Sequence, residues 1–212
     1  MKFYKKTLLN STILGRCKFA IIIVIIALMV GCGKNAAQNI PNYPYNIGSK
    51  WVYLVYDSVL QYSDTETVEI TGTTQINNGI NAKVFKHSFS SNKDSVAYSY
   101  LTENVDTLLF WTEISGYYSY YQIYVFPINV GRQWMGVNTL DTNRVVSYEN
   151  TIVPAGNFNA YKITGNYYVT NYFFSENEWY SPSIGMIKRD YYTRNFAFPE
   201  WKSYQLLSYE LN

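Results

Sequence analysis

Between Tyr43 and the last residue, the dominant period of the chain is two. In Tyr161-Lys162-Ile163-Thr164-Gly165-Asn166-Tyr167-Tyr168-Val169-Thr170, the side chains of Tyr161, Ile163, Tyr167 and Val169 share one face, and those of Lys162, Thr164, Asn166 and Thr170 share the other. That alternation is the pattern of a half-buried strand. Thr65 to Thr71 alternates likewise, with Val68 and Ile70 opposed to Thr67, Glu69 and Thr71. Further strands are predicted at 51–56, 83–89, 96–102, 107–111, 117–126, 144–148, 185–192 and 204–211. Asn77-Asn78-Gly79 and Pro154-Ala155-Gly156-Asn157 supply turns between them, because Asn and Gly tolerate positive φ and Pro fixes its own. No segment of helical length sustains a 3.6-residue period with caps. The prediction is therefore all-β, with about ten strands at sandwich or barrel spacing. Edge protection favours a strongly curved antiparallel sheet or a flattened, partly open barrel. The segment 117–126 is apolar or aromatic on both faces, which predicts a central strand covered on both sides.

One stretch echoes another. Tyr43-Pro44-Tyr45-Asn46-Ile47-Gly48-Ser49-Lys50-Trp51 and Phe126-Pro127-Ile128-Asn129-Val130-Gly131-Arg132-Gln133-Trp134 share Pro, Asn, Gly and Trp at an offset of 83 residues. Two readings fit: two related half-sheets flanking a cleft, or one turn solution used twice. The residues after each Trp diverge, which favours the second.

The amino-terminal region has a different character. Lys2, Lys5, Lys6, Arg16 and Lys18 precede an uninterrupted apolar run of 12 residues, Phe19 to Val30, and no acidic residue occurs before Cys32. Twelve residues are too few to span a bilayer and suit the core of an export signal. The run ends at Met29-Val30-Gly31-Cys32, which resembles the lipobox of bacterial lipoproteins, with Met29 where that motif usually has Leu. The resemblance implies cleavage before Cys32 and acylation of its thiol. Residues 1–31 then form a signal peptide, 32–42 a lipidated tether of roughly 35 Å at full extension, and 43–212 a single β domain. Cys17 leaves with the leader and Cys32 carries lipid, so the β domain has no thiol for a disulfide. Without the leader, 12 basic residues face 15 acidic ones, a balance that offers no footprint for nucleic acid.

Three local patterns point to a family. Pro44, Gly48 and Trp51 form Pro-x-x-x-Gly-x-x-Trp; the others are Val153-Pro154-Ala155-Gly156-Asn157-Phe158-Asn159-Ala160-Tyr161-Lys162 and Glu178-Trp179-Tyr180-Ser181-Pro182-Ser183-Ile184-Gly185-Met186-Ile187-Lys188. Together they resemble TapB-like uncharacterised bacterial envelope lipoproteins, which carry a domain of unknown function, and more loosely LolA/LolB-type carriers. In the TapB-like group the third pattern reads Trp-Tyr-Ala-Pro-Gly-Val-Gly, from which Ser181 and Ser183 depart. The resemblance implies a curved antiparallel sheet in the envelope and brings no catalytic residues.

Catalytic chemistry has few parts to work with. There is no His-Glu-x-x-His, Cys pair, P-loop or dinucleotide turn, which removes the usual metalloprotease, redox and nucleotide readings. Ser181-Pro182-Ser183-Ile184-Gly185 lacks the leading Gly and following helix of a nucleophile elbow and reads as a tight turn. His87, the one histidine, alternates with Phe85 and Phe89 and reads as a hydrogen-bonded structural residue. Glu176 and Glu178 share a strand face at roughly 6.6 Å, the one candidate pair for a carboxylate-dependent glycoside hydrolase.

With aromatics at 18% of residues, core packing comes first and binding second. The expected function is a non-catalytic binding or assembly module without a cofactor or metal, whose possible ligand contacts are Trp51, Trp134, Trp179 and Tyr180. The alternatives are an acyl-chain or lipoprotein carrier of LolA/LolB type and the glycoside hydrolase. Expected partners are the membrane, through acylated Cys32, and a lipid, glycan or envelope protein. Expected placement is the outer membrane, facing the periplasm, because Gly33 is not the Asp that retains some lipoproteins in the inner membrane.

Overall fold

A computed structural model describes residues 43–212 apart from 45, 78, 93, 115–116, 137–141, 170–171 and 195–198. The leader, Cys32 and the tether lie outside the described residues. Among those described, twelve antiparallel strands form one sheet and there is no helix. A first meander contains β1 (Lys50–Asp57), β2 (Tyr62–Ile76), β3 (Ile80–Phe89), β4 (Val96–Asn104), β5 (Thr107–Ile114) and β6 (Tyr117–Val125). A second contains β7 (Gln133–Met135), β8 (Thr142–Val153), β9 (Gly156–Val169), β10 (Tyr172–Ser181), β11 (Gly185–Arg194) and β12 (Pro199–Glu210). The last strand pairs with the first, from Lys50 opposite Glu210 to Asp57 opposite Lys202. The spatial order is therefore β6 to β1, then β12 to β7.

Period-two patterning places alternate residues inside. Trp51, Tyr53 and Val55 of β1 are buried while their neighbours are partly exposed. Every strand sends at least one side chain into a single buried cluster, including Ile70 from β2, Leu108 from β5, Val145 from β8, Ile187 from β11 and Leu206 from β12. One cluster fed by all twelve strands requires the sheet to curl on itself, giving a nearly closed, barrel-like form. Bulges at Val52/Tyr53, Ile70/Gly72, Val145/Ser147 and Trp179/Tyr180 add the local twist that such curling needs.

The prediction of a central strand at 117–126 is corrected. Among the described residues β6 ends the ladder and pairs with β5 alone. Tyr124 at its end, and Phe126 just beyond, are buried by curling rather than by a ladder on the far side, while Tyr120 is exposed. The Tyr124 ring lies 4.6 Å from that of Tyr180 on β10, and Phe126 lies 6.2 Å from the same ring. Two short or poorly alternating strands also escape the period-two reading, β7 with three residues and β10 with apolar residues on both parities.

The echoed segments open the two meanders, and their equivalence extends beyond the turn. Ser49 N–H donates to Asn46 O and Arg132 N–H to Asn129 O, both at 3.0 Å. Gly48 N–H donates to Ile70 O at 2.7 Å, and Gly131 N–H to Val145 O at 2.8 Å. Ile70 N–H returns to Ser49 O at 2.9 Å, and Val145 N–H to Arg132 O at 3.0 Å. Ile70 and Val145 both precede a bulge in the second strand of their meander. Shared hydrogen bonds, bulge position and strand order correct the single-turn reading: the two half-sheets have one plan. Over the first four strands of each meander the ladders match position by position. His87, opposite Val68, corresponds to Gly165, opposite Asn143; Ser99, opposite Phe85, corresponds to Glu178, opposite Ile163.

The lead-in turns need glycine because Gly48 and Gly131 have φ of 90° and 91°. Gly131→Ala and Gly48→Ala are each expected to cost about 1–3 kcal/mol in urea unfolding. An unchanged midpoint for Gly131→Ala, where an added Cβ meets open space, would refute the conformational argument. A second clasp holds the start of β2 to the end of β3. Asp64 accepts hydrogen bonds from Ser90 Oγ, Ser91 N and Thr65 N at 2.6, 3.1 and 2.7 Å, and also from Ser91 Oγ. Burial pushes its carboxyl up, but these bonds outweigh it and bring the pKa down to about 2. A carboxylate with a depressed folded pKa loses its contribution as pH falls, here between about 4 and 2. Acid unfolding should show that loss, and Asp64→Asn should remove it.

Candidate ligand cavity

The first meander curls around a cavity of about 200 Å³ that β10, β11 and β12 complete. Seven aromatic side chains contribute to its wall. Trp51 and Tyr53 come from β1, Phe85 from β3, Phe110 from β5, Tyr124 from β6 and Tyr204 from β12, while Tyr43 enters ahead of β1. Each strand residue among them lies at an inward position of the period-two pattern, so the geometry that builds the core also lines the cavity.

Two polar groups sit in this aromatic wall. In the first, His87 bridges three strands: Nδ1 lies 2.8 Å from Glu66 Oε1 on β2, and Nε2 lies 2.8 Å from Ser99 Oγ on β4. In the second, Tyr124 donates its hydroxyl to Glu178, linking β6 to β10 across the curl. Arg189 of β11 lies 3.2 Å from Glu178 through Nη2 and 2.6 Å from Glu176 through Nε. Desolvation pushes the Glu178 carboxyl up, against the opposing pull of Arg189, and Glu176 raises it further. Burial also pushes up the hydroxyls of Tyr53 and Tyr124, with the Tyr43 and Glu178 charges adding to it. These phenols therefore stay protonated and act as donors: Tyr53 gives its hydrogen to Met186 O at 2.9 Å.

The four aromatic candidates separate. Trp51 lines the cavity and donates Nε1–H to Ile184 O at 2.7 Å, in the turn before β11. Tyr180 is buried behind the wall, stacked on Tyr43 at 6.3 Å. Trp134 is buried in the core, and its Nε1 has no hydrogen-bond partner among the described residues. Trp179 alternates with Glu178 and lies away from the cavity. The Lys162 and Lys188 ammonium groups sit 5.0 and 4.3 Å from its ring, and Nε1 donates to Glu149 at 2.7 Å. Glu176 and Glu178 do share a face as predicted, but both are engaged by Arg189.

Glu66, Ser99 and Arg189 were not singled out by the sequence reading, although a signal existed. Each keeps the parity of inward apolar residues on its strand: Glu66 with Val68 and Ile70, Ser99 with Leu101, and Arg189 with Ile187. A polar residue on an apolar face is costly unless partnered.

Comparison with known proteins extends these observations. Residues 125–207 match the DUF3108-like family model, a span that runs from the end of β6 into β12 and so covers the second half-sheet. A candidate lipoprotein from Parabacteroides distasonis has a similar crystal structure, with a TM-score of 0.51 at 12% identity over 79% of this chain and 97% of that one. A candidate exported protein with a YmcC-like fold from Bacteroides fragilis gives a TM-score of 0.52 at 13% identity over the same shares. These similarities support the fold. No curated protein matches.

His87→Leu removes both arms of the bridge and leaves Glu66 and Ser99 unpaired. Urea unfolding should show a loss of about 1–3 kcal/mol. A loss below about 0.5 kcal/mol would mean that cavity water serves both groups equally well.

Proposed function

We propose that this chain is an exported lipoprotein, anchored through acylated Cys32, whose β domain binds a small ligand in its interior without transforming it. The observation that carries the reading is the aromatic cavity itself, whose polar groups are held in place by one another. Such a chamber is preorganised, with orienting groups fixed before a ligand arrives. The hydrophobic run before Gly31-Cys32 supports export and lipidation, and the likeness to candidate lipoprotein and exported-protein structures agrees with an envelope setting. Outer-membrane placement facing the periplasm belongs to the same proposal, on the strength of Gly33.

An acyl-chain carrier of LolA/LolB type is the runner-up. The cavity of about 200 Å³ falls below the roughly 300–1,000 Å³ of pockets that enclose drug-sized ligands, which favours a compact ligand over a fatty chain. One observation favours a catalytic reading: Glu66, His87 and Ser99 follow the order of a nucleophile-activating relay. Against it, Ser99 lies buried within β4, whereas a nucleophile elbow raises its serine on a sharp turn. The glycoside hydrolase reading is weakened by Arg189, which lies 2.6 Å from Glu176 and 3.2 Å from Glu178 and so already occupies both carboxyl groups.

Native mass spectrometry of the mature protein should show an acylated amino-terminal Cys32 and a retained small molecule that Leu101→Trp, which fills the cavity, abolishes. An unmodified thiol would remove the anchor. A retained fatty chain would select the carrier reading, and fluorophosphonate labelling of Ser99 would overturn the non-catalytic one.

A further inference from the structure

We infer that the cavity selects a small organic ammonium ion, an inference that rests on the ligand-binding reading above and adds the class of ligand. The charges around the chamber are unequal. Glu66 and Glu178 line it, Glu176 stands behind Arg189, and Arg189 is the one guanidinium among them. Three carboxyl groups gathered about one guanidinium bias the chamber toward a positively charged guest.

The cationic side chain already faces carboxylates. Arg189 lies against Glu176 and Glu178, and His87 bridges Glu66 and Ser99. An anion entering the chamber would compete with these carboxylates for the guanidinium and bring like charge beside them. Acceptor capacity is in surplus by contrast. Glu66 holds His87 through Oε1 alone, and an ionised carboxylate offers about four lone-pair sites. A ligand carrying positive charge settles beside that carboxylate by charge alone, or with an N–H to it where it has one, without breaking a pair. The aromatic wall works in the same direction, because ring faces attract cations and do so more strongly where water is excluded. A neutral ligand fits the walls equally well but gains nothing from that bias.

The two half-sheets give an independent argument. Where the first carries His87, the second carries Gly165 at the matching ladder position. The half-sheet plan is thus built without an imidazole there. The Glu66–His87–Ser99 bridge is an addition of the cavity-bearing half, and it holds the Glu66 carboxylate toward the chamber.

The test uses isothermal titration calorimetry of the full chain with three probes of one shape: choline, its uncharged carbon isostere dimethylbutanol, and the anion dimethylbutyrate. Choline is expected to bind at least about tenfold more tightly than dimethylbutanol. Glu66→Gln should shrink that ratio at least about threefold, while Glu210→Gln, which removes an exposed carboxylate away from the cavity, should preserve it. The wild-type ratio decides the matter if Glu66→Gln fails to fold. Displacement of choline by phosphatidylethanolamine vesicles would put the ammonium on a lipid headgroup, and failure to displace it would put it on a free amine. Both outcomes retain the class. Equal binding of choline and dimethylbutanol, or preference for dimethylbutyrate, overturns the ammonium assignment and leaves ligand binding intact. Silence from all three probes also overturns it, and the native mass spectrum then decides separately whether the cavity holds any ligand.

Discussion

The β1–β12 ladder is the contact on which the rest of the structure depends. Each meander is an open sheet with two edges, and joining the first strand to the last turns two six-stranded sheets into one of twelve. Only then can the curl bring β6 over β10, so that Tyr124 meets Tyr180 and Glu178. The cavity is a product of that joining, since Trp51 and Tyr53 lie on one side of the seam and Tyr204 on the other. Side-chain bonds fasten the same region: Asn46 Nδ2 donates to Asn212 O at 2.5 Å, and Asn212 N to Ser49 Oγ at 3.2 Å.

The inside of this sheet is more polar than a packed core requires. Glu66, Ser99 and Glu178 are buried, and each has partners at hydrogen-bond distance. Removing carboxylates from water costs several kcal/mol per ion before pairing offsets it. A sheet that needed only stability would do as well with apolar residues at these positions. Their presence fits a chamber whose walls orient a guest, with Phe85, Leu101 and Met186 as apolar lining around them.

How much was legible depended on alternation. Strands with clean period-two patterning, such as β1 and β9, could be read directly, and the Gly156 and Gly79 turns followed from their chemistry, with φ of 138° and 99°. β10 was obscured because Phe173-Phe174 and Trp179-Tyr180 place large apolar groups on both parities. β7 has too few residues to show any period. The misplacement of β6 has a physical cause: Tyr124 is buried by curling onto a distant strand, which leaves the same mark in the sequence as burial by a neighbouring ladder, and Tyr120 is aromatic yet exposed. The site was partly visible in the same way. Trp51 was identified by size, whereas Glu66 and Arg189 needed the parity of their strands, and their convergence depended on a closure that no local pattern encodes.

The seam joins residues about as far apart in sequence as this fold allows, with Lys50 facing Glu210. Such distant pairing is slow, because a long loop must be closed before any ladder bond rewards it. Until β12 arrives, β1 presents an open row of amides and carbonyls, and its inward Trp51, Tyr53 and Val55 lack their final cover. A chain that emerges amino-terminus first therefore carries this sticky border until all ten intervening strands have followed, and the earliest strand of the sheet is among the last to be sealed.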